Sequence, residues 1–381
     1  MLLVGPDTFM NTLELDRKEL AGLCRAAGKR PDWAQADGGN ASIKHEGLLL
    51  TKASGRRLDE VSASKGMVAV DLAALRAVLD DPAYTALPGS AQPKGAGTAV
   101  AGALRPLAGV DGAGLLPPPD CELHALGERV CLHVPLVEAS AALCLAEAQQ
   151  DLDEVFHGLH LDHVWAQYRP PGHGLACLVR DALRHRAAPV AALGNHGLVV
   201  WAEQVAQALA LVERIQKGFA AHFRAVDPPH LAANPAGREQ AVAAAVKAAR
   251  SAWPQLKTMA AAKDPWVQSL AVAGVWAWQP ICPDDFVHCG LDVPLLDAAS
   301  AARPEDLKRR LGADPQVAVM ALRDCGVLIA ARDERAWRGA AELLQANARA
   351  RALARTRGHV QALTKEQGLE LLSTQDPQGS P

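Results

Sequence analysis

One apolar run that breaks at a polar turn and then resumes constrains this chain more than any other feature. Ala192-Leu193-Gly194-Asn195-His196-Gly197-Leu198-Val199-Val200-Trp201 reads as strand, turn and strand. Gly197 gives the turn a permissive backbone, and the turn holds His196 where its ring can point into a pocket. An imidazole placed that way is a candidate metal ligand. A single histidine is more often a satisfied structural residue, so the reading depends on the partners the chain supplies.

The chain is long enough to supply them from more than one domain. With 381 residues and 49% apolar content it can bury two cores. The His-, Asp- and Pro-bearing stretch 220–234 marks the expected boundary, giving domains at 1–225 and 226–381. A net charge of -3 leaves no basic footprint for nucleic acid and no polybasic anchor for a membrane surface. The N-terminus has no signal-peptide pattern and no run approaches the ~18 apolar residues of a membrane span, so a cytoplasmic protein is expected. The eight cysteines form no C-x-x-C pair and read as reduced core residues.

Periodicity places the elements. Leu13, Leu15, Leu20 and Leu23 predict an amphipathic helix over 12–27, and glycine-broken runs at 38–44 and 47–55 predict a hairpin. A helix is expected over 71–81. The Gly-, Ala- and Pro-rich stretch 87–119 reads as a mobile surface loop. A short helical start at 121–126, a strand at 129–134, an alanine-rich helix at 139–149 and helices at 174–185 and 202–219 follow. The second half predicts a helix at 237–251, strands at 317–322 and 327–330, and a long helix at 335–354, a small α/β unit.

Four segments of the first half then acquire a common meaning. Gly38-Gly39-Asn40-Ala41-Ser42-Ile43-Lys44, Lys52-Ala53-Ser54-Gly55, Glu122-Leu123-His124 with Val130-Cys131-Leu132-His133, and Gly194-Asn195-His196-Gly197 stand in this order. In that order the chain resembles the class II aldolase/adducin head family. Tyr168-Arg169-Pro170-Pro171-Gly172 is similar to the family's tyrosine and Pro-Gly segment. Ile281-Cys282-Pro283-Asp284-Asp285 and Leu363-Thr364-Lys365-Glu366 resemble the C-terminal extension of longer members, as in the aldolase part of aldolase/dehydrogenase fusions.

The resemblance implies a three-layer α/β/α head with a second, smaller α/β domain, and a divalent metal, usually zinc, held by three histidines. It also implies a carboxylate that moves the proton, glycine turns that bind a phosphate or carboxylate, and a homo-oligomer. The chemistry fits the residue types. Retro-aldol cleavage needs a polarised carbonyl and a nearby acid/base, and glycine turns let backbone amides approach an anion. Carried over by position, His133 and His196 are the metal ligands, Asp120 the catalytic acid/base, and Gly39, Asn40, Ser54 and Gly55 the substrate-binding residues.

Three positions depart from the family pattern. Pro135 stands where a second strand histidine belongs, Asp120 where a glutamate belongs, and Pro118 where a serine belongs. His124 is expected to be a structural hydrogen-bonder, and Glu122 and Glu138 solvated or capping residues. His157, His160, His163 and His173 are expected to form a surface cluster, with Cys282 and Cys289 as packing residues. Two functions stand side by side. One is a metal-dependent lyase cleaving or epimerising a small sugar or sugar acid. The other is a catalytically inactive scaffold or small-molecule sensor that keeps the fold.

Overall fold

The structure is a computed structural model and describes residues 6–84, 95–107, 109–111, 114–231, 235–272 and 278–375. The chain divides into two compact units, 1–143 with 147–222, and 144–146 with 223–381.

In chain order the first unit contains α1 (Pro6–Gly28), β1 (Asn40–His45), β2 (Leu48–Lys52), β3 (Met67–Asp71), α2 (Leu72–Asp80), α3 (Ala96–Gly102), β4 (Leu104–Arg105) and α4 (Cys121–Ala125). It continues with β5 (Val130–Val134), α5 (Val137–Leu143), α6 (Ala148–Gly158), β6 (Val164–Ala166), α7 (His173–His185), β7 (Val190–Leu193), β8 (Gly197–Ala202) and α8 (Val205–His222). The strands form one eight-stranded sheet in the order β4-β3-β2-β1-β5-β8-β7-β6. Neighbours run antiparallel except β6 and β7.

Helices cover both faces, which makes three layers. α1, α5, α6 and α8 pack together, with α1 on β1 and α8 on β5 and β8; α2, α3, α4 and α7 pack together, with α2 on β2 and β3, α4 on β1 and α7 on β6. β5 and β8 therefore bury every residue, as a strand covered on both faces must. Successive side chains on β5 alternate between the layers. Cys131 packs with Leu123, Cys177 and Trp201, so His133, two residues on, points to the α4 side.

The α/β class is as expected, and several elements differ from expectation for physical reasons. α1 buries Leu13, Leu20, Leu23, Cys24 and Ala27, whereas Leu15 is 60% exposed and lies off the stripe. The stretch expected as a loop contains α3 and β4 among its described residues; positions 87–94, 108, 112 and 113 lie outside them. Val100 and Ala103 enter the core beside Leu75, and Val70 pairs with Leu104, so tertiary contacts order a segment of weak pattern. The alanine-rich helix expected at 139–149 is two helices, α5 and α6, and Leu145 between them bridges to Val360.

The second unit contains α9 (Pro235–Ala252), β9 (Thr258–Ala261), α10 (Pro265–Ser269), α11 (Pro283–Cys289), β10 (Leu295–Leu296), α12 (Ala298–Ala301), α13 (Pro304–Leu311), β11 (Val317–Leu322), β12 (Gly326–Ala331), α14 (Glu334–Ala354) and α15 (Lys365–Gln375). Its sheet runs β10-β11-β12-β9. Trp253, Met320 and Leu328 lie in one of its cores. Among the described residues no helix is long and apolar enough to cross a membrane.

Candidate metal centre

The site begins at the middle of the large sheet. β5 lies between β1 and β8, and its register sets His133 opposite Asn40 on one side and Val199 on the other. Asp120 directly precedes α4, yet its side chain does not cap that helix. Its Oδ1 accepts a hydrogen bond from Asn40 Nδ2 at 3.1 Å, and its Oδ2 lies 3.0 Å from His133 Nδ1. Both carboxylate oxygens therefore face β1 and β5.

The β7–β8 turn brings the third group. Asn195 has φ +49° and Gly197 φ +153°, so the chain reverses within 194–196. A Cβ on Gly197 would stand 2.7 Å from Val134 O and 3.1 Å from Pro135 Cα, a spacing only glycine tolerates. This contact seats the turn against the end of β5. The His196 ring then meets the His133 ring edge-on, with centroids 4.8 Å apart at 86°.

Asp120, His133 and His196 each offer one ligand atom, and these atoms lie within 4.8 Å of one another. Around them His133 Nε2, His196 Nδ1 and Asn40 Oδ1 are buried without a hydrogen-bond partner, and His133 Nδ1 is not aligned for a hydrogen bond. Each such atom costs about 1–3 kcal/mol unless something at the centre satisfies it. Two imidazoles and a carboxylate are a donor set suited to a divalent ion such as zinc, so these residues fit one.

Electrostatics favour the ligand forms. Burial would raise the Asp120 carboxyl, but His133, and behind it His124 and His196, hold it well below the usual carboxylate range. Burial, reinforced by His133, pushes His196 down to about 3, and burial pushes His124 to about 3. At neutral pH the site therefore presents a carboxylate and a neutral imidazole at His196, where protons compete weakly with an ion. His124 Nδ1 lies 2.9 Å from Ser42 Oγ, and His124 does not join the ligand cluster.

The glycine turns lie close to one another. Lys52, buried to 1% exposure, donates from Nζ to Asp37 O at 2.9 Å and Arg56 O at 2.6 Å, clamping the segment before Gly39 to the one after Gly55. Gly39 (φ +74°) and Gly55 (φ +66°) take left-handed backbone there. Ser54 is exposed, and its backbone N–H is spent on Leu116 O at 2.9 Å, so its hydroxyl is what it can offer a ligand. The Asn40 side chain is directed at Asp120.

Several expectations are corrected. Glu122 is 1% exposed and pairs through Oε1 with His173 Nδ1 at 2.6 Å, so it is neither solvated nor a cap. α7 begins at His173 and packs on α4, which buries both groups together. Glu138 is 4% exposed, with Oε2 accepting from Gln216 Nε2 at 3.3 Å. Of the four histidines expected as a surface cluster, His157 and His160 are exposed with ring centroids 6.5 Å apart, whereas His163 stacks on Phe156 and His173 is 1% exposed. Sequence reasoning also missed Asn40 as the partner of Asp120, and the group Asp151, Glu154 and His222, where His222 Nε2 lies 2.6 Å from Asp151 Oδ1. The eight cysteines are all free, six of them buried; Cys289 is among these, while Cys282 is partly exposed.

Residues 121–223 match the family described as the class II aldolase and adducin N-terminal domain. No curated protein matches the chain in sequence. Similar solved structures include the N-terminal class II aldolase domain of a conserved protein from Thermoplasma acidophilum, with 19% identity over 54% of this chain and 92% of that one and a TM-score of 0.45. A sugar-phosphate aldolase from Thermotoga maritima shares 12% identity over 56% and 94%, with a TM-score of 0.36. L-fuculose-1-phosphate aldolase from Thermus thermophilus shares 15% over 55% and 93%, with a TM-score of 0.33.

Proposed function

We propose that the first unit, whose residues 121–223 match the class II aldolase and adducin N-terminal domain family, is a divalent-metal-dependent lyase acting on a small sugar or sugar-acid derivative. One observation carries this reading: Asp120, His133 and His196 converge within 4.8 Å while His133 Nε2 and His196 Nδ1 stay buried and unbonded.

His133, His196 and Asp120 would hold the ion. A bound divalent cation supplies Lewis-acid polarisation of a substrate carbonyl. The chain's own residues do the rest. Asn40 fixes Asp120 by donating to Oδ1, and His133 flanks Oδ2, so the carboxylate is oriented before any ligand arrives. Asp120 is also the nearest candidate to move a proton. That role requires its carboxylate to leave His133, because a group held far below neutral pH is a weak base. The left-handed turns at Gly39 and Gly55, the Ser54 hydroxyl and the positive charge of Lys52 behind them favour the phosphate or carboxylate end of the substrate. A homo-oligomer is also part of this proposal.

The second reading, a non-catalytic scaffold or sensor, is favoured by Pro135. Its Cα lies 3.1 Å from where a Cβ on Gly197 would stand, and it carries no ligand atom where the family pattern has an imidazole. Metal content decides between the two. Protein purified without chelator is expected to hold close to one equivalent of a divalent ion per chain, and His196→Ala to hold less than about a tenth of that. Absence of metal from both proteins, and no gain on adding zinc or manganese, would leave the scaffold reading standing.

A further inference from the structure

We propose that Asp151, Glu154 and His222 form a second divalent-cation site of the first unit, suited to zinc, at the seam between α6 and α8. Asp151 and Glu154 are three residues apart on α6 and therefore share one face. His222 is the last residue of α8. The register between the two helices is set deeper in the core, where the Phe156 ring of α6 meets the Phe219 ring of α8 edge-on, with centroids 5.8 Å apart at 87°. Both phenylalanines are fully buried, so they fix where the His222 ring, three residues beyond Phe219, comes to lie against α6.

The side chains converge as a ligand set does. His222 Nε2 lies 2.6 Å from Asp151 Oδ1, and His222 Nδ1 lies 4.0 Å from Glu154 Oε2. One ligand atom from each of the three residues falls within 4.8 Å of the other two. Gln150 Nε2 donates to Glu154 Oε1 at 3.4 Å, which turns Oε2 towards the imidazole. Ligand atoms around a tetrahedral zinc, each about 2.0–2.1 Å from the metal, stand about 3.3 Å apart. The contacts of 2.6 Å and 4.0 Å bracket that spacing. Side-chain shifts of under about 1 Å therefore turn the cluster into three ligands, with water in the fourth position.

The residue types choose the ion. Magnesium and calcium take oxygen ligands, whereas an imidazole nitrogen with two carboxylates suits zinc and its transition-metal neighbours. The Asp151 and His222 side chains are 10% exposed and that of Glu154 is 47% exposed, so the inner side of the site is sheltered while an ion can arrive from solvent over Glu154. With one of its three ligands half exposed, the site holds an ion loosely; it fills when zinc is supplied and empties during purification. A bound ion fastens α6 to the end of α8, the helix that packs on β5 and β8. Asp120, His133 and His196 take no part, so a failure here leaves the lyase reading untouched, and the reverse holds.

The full-length chain, stripped with chelator and titrated with zinc against a chromogenic competitor, is the test sample. The native chain is expected to show a micromolar zinc equivalent that Glu154→Gln weakens at least tenfold, whether or not the first centre holds an ion. Glu154 is exposed, so this variant keeps the fold; His222→Gln is expected to lose the same equivalent. In hydrogen exchange, zinc is expected to protect peptides from α6 and the end of α8 in the native chain and to leave them unchanged in Glu154→Gln. His157→Gln, on the exposed part of α6, is expected to behave as the native chain does in both measurements. Zinc titrations that coincide for the native chain and Glu154→Gln, or zinc binding that leaves α6 and α8 unprotected in the native chain, overturn the proposal. Displacement of that zinc equivalent by an equal concentration of magnesium overturns it as well.

Discussion

Asp120 shows how much depends on one side chain. Its two oxygens are assigned before any ion binds, one to Asn40 and one beside His133. Asp120→Asn keeps the size and removes the charge, so metal affinity is expected to fall at least tenfold with little change in melting temperature; competition with a chromogenic chelator reads it. Pro135→His restores a ligand-bearing side chain beside the His196 turn and is expected to tighten metal binding about tenfold in the same assay. Acid sensitivity has a sign that follows from burial. His124 and His196 are lowered to about 3 in the folded chain, against an ordinary value of about 6.5 in the unfolded one. Their neutral forms thus contribute fully above about pH 6.5, and stability drains as pH falls from there towards 3. Urea midpoints of the metal-free chain are expected to drop through that window, and to drop less in His124→Gln. At this scale the residue types of the centre were legible, since His133, His196 and Asp120 were all singled out from the chain. Their mutual distances were not, because sequence spacing says nothing about which strands become neighbours.

Elements turn those residues into a site. The Asn195-His196-Gly197 break is a tight turn because Gly197 alone fits against Val134 O; Gly197→Ala is expected to cost on the order of 2–3 kcal/mol and to displace the His196 ring, seen as a lower melting temperature together with lost metal. The tie between α4 and α7 has the opposite pH sign to His124 and His196. His173 is raised to about 9, so the Glu122–His173 pair contributes fully below about pH 6.5 and is lost as pH rises through 9. Denaturation midpoints are expected to fall across that alkaline window in the native chain and to be flatter in Glu122→Gln. Element type followed from periodicity where one face is strongly apolar, as in α1 and β5. It failed where packing overrode a bland pattern. α3 is ordered by Val100 reaching the core, and the alanine run 139–149 is cut because Leu145 pairs with Val360.

The whole molecule is two units with separate sheets, and only the first contains the Asp120, His133 and His196 group. Zinc or manganese at about a hundred times its dissociation constant should stabilise that unit by roughly 2.7 kcal/mol. Hydrogen exchange is expected to show added protection in peptides from β1, α4, β5 and the β7–β8 turn, and unchanged protection in β9, β11 and β12. Equal protection in both units, or in neither, would contradict a metal centre confined to the first. By itself the sequence determined the order of the glycine-broken segments, the α/β class, and the histidines and carboxylate that can carry chemistry, because these depend on residue type and local period. Tertiary structure alone decided that Asn40 holds Asp120, that His196 reaches His133, and that Glu122 and His173 are buried against Cys177. Asn40 and Asp120 are 80 residues apart in the chain, His133 and His196 63, and Glu122 and His173 51, and only the stacking of strands and helices around β5 brings them within contact.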